Sequence, residues 1–100
     1  MEYADEVWEI VMKWDNFSKF HLGGQWVEAA DSIGLNISEG FGRYFFKENK
    51  QFCFYARGSL LESKTATTKA AKRKLISQDE FSRLITSLET LHHKLNAYFE

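Results

Sequence analysis

Glu89 and His92 stand three positions apart, the half-motif with which carboxylate-bridged di-metal bundles hold their ions between helices. That chemistry needs a second Glu-x-x-His on a facing helix, and the chain has none. The pair reads instead as part of a helix surface, with His92 semi-buried beside Leu88 and Leu95 and His93 turned to solvent. His21 stands alone near Gly23 and Gly24, and no Cys and His grouping has zinc spacing. A helical ribonuclease would carry a histidine five to seven positions after an arginine on one helix; Arg43, Arg57, Arg73 and Arg83 each lack one. Gly58 and Ser59 sit inside a helical pattern, without the strand and sharp turn that expose a nucleophilic serine. There is no phosphate loop and no dinucleotide fingerprint. Cys53 is the only cysteine, so it closes no intrachain disulfide and reads as a small buried hydrophobe. The expectation is a protein without enzymatic activity, catalytic residues, cofactor or metal.

Two other groups of residues could do binding chemistry. Lys64, Lys69, Lys72, Arg73 and Lys74 crowd the end of one helical segment, where they either complement the helix dipole on a solvated face or contact the phosphates of RNA or DNA. The charges of the chain nearly cancel, 13 Lys and Arg against 14 Asp and Glu, but they are segregated. Residues 1–42 carry eight acids and two lysines, a net of minus six, and residues 43–76 carry nine bases and two acids, a net of plus seven. The second group is aromatic: Phe41, Tyr44, Phe45, Phe46, Phe52, Phe54 and Tyr55 interleave with Arg43, Lys47 and Lys50. One small bundle cannot bury all of them beside three tryptophans. They face either stacked nucleobases or a further protein subunit, and an oligomer interface involving Phe41, Tyr44, Phe45 and Phe46 is the favoured expectation.

The elements that position these residues are helical. One hundred residues with 44% hydrophobic content make one domain, 1–100. Proline is absent, and apolar residues recur at helical spacing. A first helix is expected from Ala4 to Phe20, with Val7, Val11, Trp14 and Phe17 on one face, stopping before Gly23 and Gly24. The second is expected from Gln25 to Glu39 along Trp26, Ala30, Ile33 and Ile37, broken by Gly40 and Gly42. The third, Lys47 to Arg73, has an inward face of small residues, among them Ala56, Ser59, Ser63, Ala66 and Ala70. Ser77 followed by Glu80 is a capping box opening a fourth helix along Phe81, Leu84, Leu88, Leu91 and Leu95. Short connections imply an all-α, antiparallel, up-down-up-down four-helix bundle. No apolar run has bilayer length and no secretory leader opens the chain, so a cytoplasmic protein without membrane association is expected.

Two stretches carry a resemblance. Ala30, Asp31, Ser32, Ile33, Gly34, Leu35, Asn36, Ile37, Ser38, Glu39, Gly40, Phe41, Gly42, Arg43 and the segment Tyr55, Ala56, Arg57, Gly58, Ser59, Leu60, Leu61, Glu62 resemble the small bacterial four-helix-bundle proteins encoded within intervening sequences of large-subunit ribosomal RNA genes. The chain departs from that pattern at Gly34 and Leu35, where members commonly place a proline after the Ser-Ile pair, and at Ser38, usually alanine. The resemblance implies a bundle that assembles into a ring, commonly a homopentamer, with no established enzymatic activity. It also brings in a relative, the basic accessory protein of diversity-generating retroelements, and with it RNA or DNA and a protein such as a reverse transcriptase as possible partners. Asn36, Glu39, Arg43 and Arg57 match the polar positions of the two motifs. A structural role is expected for them, with Glu39 pairing with Arg43 or Arg57, and a polar pocket at the turn between the second and third helices is the alternative.

Overall fold

A computed structural model describes the backbone of residues 1–41 and 46–99 and the side chains of residues 1–40 and 50–97. Four long helices account for it: α1 (Glu2–Met12), α2 (Gly24–Phe41), α3 (Phe46–Lys72) and α4 (Gln78–Phe99). A single helical turn at Asn16–Ser18 and a π-helical stretch at Lys19–Gly23 run directly into α2. The described residues contain no strand. Val11 lies against Gly23 while Met1 lies beside Gly34, so α1 and α2 are antiparallel. At the far end of the bundle from the α3–α4 turn, Arg57 of α3 reaches Asn96 of α4. This is the expected antiparallel four-helix bundle.

The helix ends are set by local chemistry. Glu80 N–H donates to the Ser77 hydroxyl at 3.1 Å and Ser77 N–H to Glu80 Oε1 at 2.8 Å, which is the capping box in both directions. At the end of α3, Lys74 takes the left-handed conformation (φ 59°). Leu75 N–H bonds Ala70 O at 2.9 Å and Lys74 N–H bonds Ala71 O at 3.1 Å, the paired pattern that closes a helix when one residue turns left-handed.

Packing is most extensive between α2 and α3. Ala29, Ala30 and Ile33 on α2 meet the small inward residues of α3, where Ala56, Ser59, Ser63, Ala66 and Ala70 are all buried. Small side chains let two backbones approach, and the large fully buried residues Trp26, Val7 and Leu84 fill the space toward α1 and α4. A one-way chain of donors crosses this core. Trp26 Nε1–H donates to the Tyr3 hydroxyl at 3.1 Å, and the Thr67 hydroxyl donates to Ser63 O at 2.7 Å. With its own proton committed, Thr67 Oγ1 can only accept from Tyr3, at 3.4 Å. The Ser63 hydroxyl lies beside that of Tyr3 yet has no hydrogen-bond partner.

The start of the chain departs from the expected pattern. The first helix ends at Met12, and Phe17, expected on its buried face, is 73% exposed. Asp15 explains the break: its carboxylate accepts from Ser18 N–H at 3.0 Å, and such a side-chain acceptor starts a new turn. Trp14 anchors the bend, its indole donating to Leu75 O at 3.1 Å and stacking on Trp26 at 5.7 Å between centroids. Gly23 and Gly24, expected to stop a helix, lie within helical backbone. Gly23 serves close approach instead: a Cβ there would sit 2.6 Å from Val11 Cγ1. Gly40 is likewise helical, and α2 continues to Phe41.

Candidate functional site

Among the described residues, the groups that the sequence offered for catalysis are not brought together. Glu89, His92 and His93 are all exposed on α4. For His92 this corrects the semi-buried expectation: at about 100° per residue, it sits off the Leu84, Leu88 and Leu95 stripe. No cluster of three His, Cys, Asp or Glu suited to a metal occurs among the described residues. Cys53 is buried, as expected. The Ser59 hydroxyl donates to Tyr55 O at 3.1 Å, within its own helix.

The motif residues divide. Asn36 donates through Nδ2 to Ser32 O at 2.9 Å, one turn back along α2. Arg57 Nε and Nη2 both donate to Asn96 Oδ1, at 3.0 and 2.6 Å, a fork that ties α3 to α4. Asn96 gave no signal in the sequence, being one polar residue beside the Leu95 stripe. Glu39 is exposed. Arg43, Tyr44 and Phe45 lie outside the described residues, as do the side chains of Phe41 and Phe46. Of the two pairings expected for Glu39, the one with Arg43 falls there, as does the alternative pocket at the α2–α3 turn.

Lys64, Lys69, Lys72, Arg73 and Lys74 are all exposed, and none forms an ion pair among the described residues. They do not make one patch. Lys64 and Lys69 are five residues apart on one helix, which puts them roughly 140° apart around its axis. Lys69 lines a groove of about 360 Å³ between α2 and α3, with Leu22, Gln25, Ala29, Leu61 and Glu62. Arg73 lines a separate pocket with Phe17 and His21. The cations at the end of α3 therefore form the concentrated group, and Lys64 stands apart from it.

The more unusual surface is apolar. Along the outward face of α3, Phe54 is 55% and Leu61 63% exposed, and Lys50 Nζ sits 5.9 Å above the Phe54 ring. Between them Gly58 is exposed mid-helix, and a Cβ there would meet nothing within 4 Å. Elsewhere α1 exposes Trp8 and Met12, α2 exposes Leu35, and the segment between them exposes Phe17 and Phe20. The aromatic surplus expected near the α2–α3 turn thus extends to surfaces the sequence did not flag. Trp8 and Met12 are spaced by four and share a face of α1, the one signal that could have revealed them.

No helix among the described residues is long and apolar enough to cross a membrane. A sequence model of the family described as 23S rRNA-intervening sequence protein matches residues 1–97. No curated protein matches the chain.

Proposed function

This chain belongs to the 23S rRNA-intervening sequence protein family, and we propose that it acts without catalysis, as a subunit that assembles with copies of itself through the outward face of α3. The observation that carries this reading is Gly58. A glycine in an exposed helix interior costs about 1 kcal/mol relative to alanine, and among the described residues nothing occupies the space it leaves. It lies between Phe54 and Leu61, large apolar side chains left in water. A notch with apolar walls fits a neighbouring subunit better than solvent.

The charge segregation says which surface would fill the notch. The segment 1–42, net minus six, carries the exposed Trp8 and Met12, and the segment 43–76, net plus seven, carries the notch. Opposite charges on different faces of one subunit favour head-to-tail contact, and a head-to-tail contact that closes makes a ring. A homopentamer is the ring size that the family resemblance implies. Light scattering tests this: the wild type should exceed the 11.7 kDa of one chain, and Leu61→Glu should return it to that mass with its helical content intact. An unchanged mass in Leu61→Glu and Phe54→Glu would remove this face from the interface.

A second reading has its own support in the unpaired cations Lys69, Lys72, Arg73 and Lys74 at one end of α3. Repeated around a ring, they would present several weak phosphate contacts at high effective concentration to RNA or DNA. A protein partner such as a reverse transcriptase is a proposal that rests on the resemblance alone.

A further inference from the structure

Four local oddities meet at one end of the bundle. The π-helical stretch Lys19–Gly23 precedes α2, and such stretches are rare and recur at functional sites. His21 lies within it, its ring stacked on Phe17 at 4.1 Å between centroids. Its Nδ1 is 2.6 Å from Phe17 O. A carbonyl only accepts, so Nδ1 carries the proton and Nε2 remains free. Phe17 is 73% exposed, with its ring packed face to face on that of His21. Across the gap stands Arg73, at the end of α3, its N–H still bonded to Lys69 O. Phe17, Ser18, His21, Leu22, Arg73 and Leu75 enclose a pocket of about 310 Å³, near the lower end of the range that small ligands occupy.

We propose that this pocket binds a nucleoside phosphate, with the base lying on the Phe17–His21 platform and the phosphate meeting the Arg73 guanidinium. Each wall supplies one half of that recognition. An exposed aromatic pair is a stacking surface for a flat heterocycle, and a planar guanidinium without a carboxylate partner matches phosphate geometry. Leu22 and Leu75 make an apolar floor. Lys72 and Lys74, exposed and unpaired beside Arg73, raise the local positive potential. An inorganic anion would use only the Arg73 side. The inference builds on the nucleic-acid reading above and changes its content: phosphate contacts alone are indifferent to pairing, whereas a base that must lie on Phe17 has to be unpaired. The ligand's source is either a free mononucleotide or an unpaired nucleotide within a strand.

The test titrates the full chain with adenosine monophosphate, inorganic phosphate, a single-stranded oligoadenylate and a duplex of equal length, following the His21 ring protons by NMR. The expected result is a shift of the His21 resonances with adenosine monophosphate but not with phosphate, and a preference for the single strand over the duplex. Phe17→Ala should reduce single-strand affinity about tenfold, as the loss of one stacked base does, and leave duplex affinity unchanged. Arg73→Gln should weaken mononucleotide and strand alike. Both residues are exposed, so neither change threatens the fold. Mononucleotide binding without strand binding supports the pocket and identifies the free ligand as its source. Equal affinity for single strand and duplex with Phe17→Ala silent overturns the pocket and leaves the phosphate-contact reading standing. No binding of any probe at low salt overturns both. A fall in oligomer mass in Phe17→Ala would make this surface a subunit contact and also overturn the proposal.

Discussion

The two faces of α3 obey different rules. On the inward face the residues answer to their neighbours: Ala56, Ser59, Ser63, Ala66 and Ala70 are small where α2 packs closely, and Thr67 passes a hydrogen-bonded chain from Trp26 on to Ser63 O. On the outward face Phe54, Gly58 and Leu61 break the preferences of an exposed helix, and among the described residues nothing compensates them. A residue that costs stability without return inside its own chain points to a return outside it. The inward face therefore explains the fold, and the outward face is where function is to be sought.

The sharpest way to break this comparison is to truncate one large side chain on each side. Trp26 is fully buried and is expected to lose about 3–5 kcal/mol of stability on change to alanine. Leu61→Ala is expected to change the stability of the single chain by less than about 0.5 kcal/mol while weakening self-association. Urea unfolding at several protein concentrations separates the two, because assembly makes apparent stability depend on concentration. A large concentration-independent loss in Leu61→Ala would show that the outward face is part of the fold after all.

The buried polar chain sharpens the inward side. Tyr3→Phe leaves the Trp26 indole N–H without its acceptor, an expected loss of about 1–3 kcal/mol. Ser63→Ala removes a buried hydroxyl that has no partner and should be neutral or stabilising. Similar losses in the two variants would mean that Ser63 is bonded in solution. Tyr3 also sets an alkaline limit. Burial pushes its phenol above the ordinary 10.0, against the hydrogen bond it accepts from the Trp26 indole, which favours the phenolate. The folded state keeps a proton that the unfolded chain releases, so this contribution is intact below pH 10 and is lost as pH rises beyond it. In the folded protein the phenolate absorbance that Tyr3→Phe removes should thus appear at higher pH than in the unfolded chain.

Much of this was legible in advance. The third helix, expected from Lys47 to Arg73, runs Phe46–Lys72, and the left-handed turn at Lys74 closes its far end. The Ser77–Glu80 box was legible because both partners lie within one turn. The break after Met12 was not, since Val7, Val11, Trp14 and Phe17 continue a helical period through it. A single hydrogen bond from Ser18 to Asp15 outweighs that pattern. The pocket of Phe17, His21 and Arg73 was illegible for a different reason: its walls come from segments far apart in sequence, and no local spacing joins them.

Glycine shows the same limit at its finest. A sequence cannot say whether a glycine is kept for its backbone conformation, for close approach or for an absent partner. Gly23, Gly24 and Gly58 are all helical without positive φ, so conformation explains none of them. Alanine at Gly23 would set a Cβ 2.6 Å from Val11 Cγ1 and 3.3 Å from Ser18 O. Val11 is β-branched and buried, so it yields poorly, and the expected net effect is a loss of about 1 kcal/mol despite the gain in helix propensity. Gly24 and Gly58 meet nothing within 4 Å, so alanine at either should raise single-chain stability by somewhat under 1 kcal/mol. Self-association separates these two. Gly24→Ala should leave the assembled mass unchanged. Gly58→Ala should stabilise the subunit and loosen the assembly, because a methyl group then occupies the notch between Phe54 and Leu61 that a neighbour would fill. If Gly58→Ala assembles as well as the wild type, the notch is an accident of the surface, and the difference between the two faces of α3 loses its strongest support.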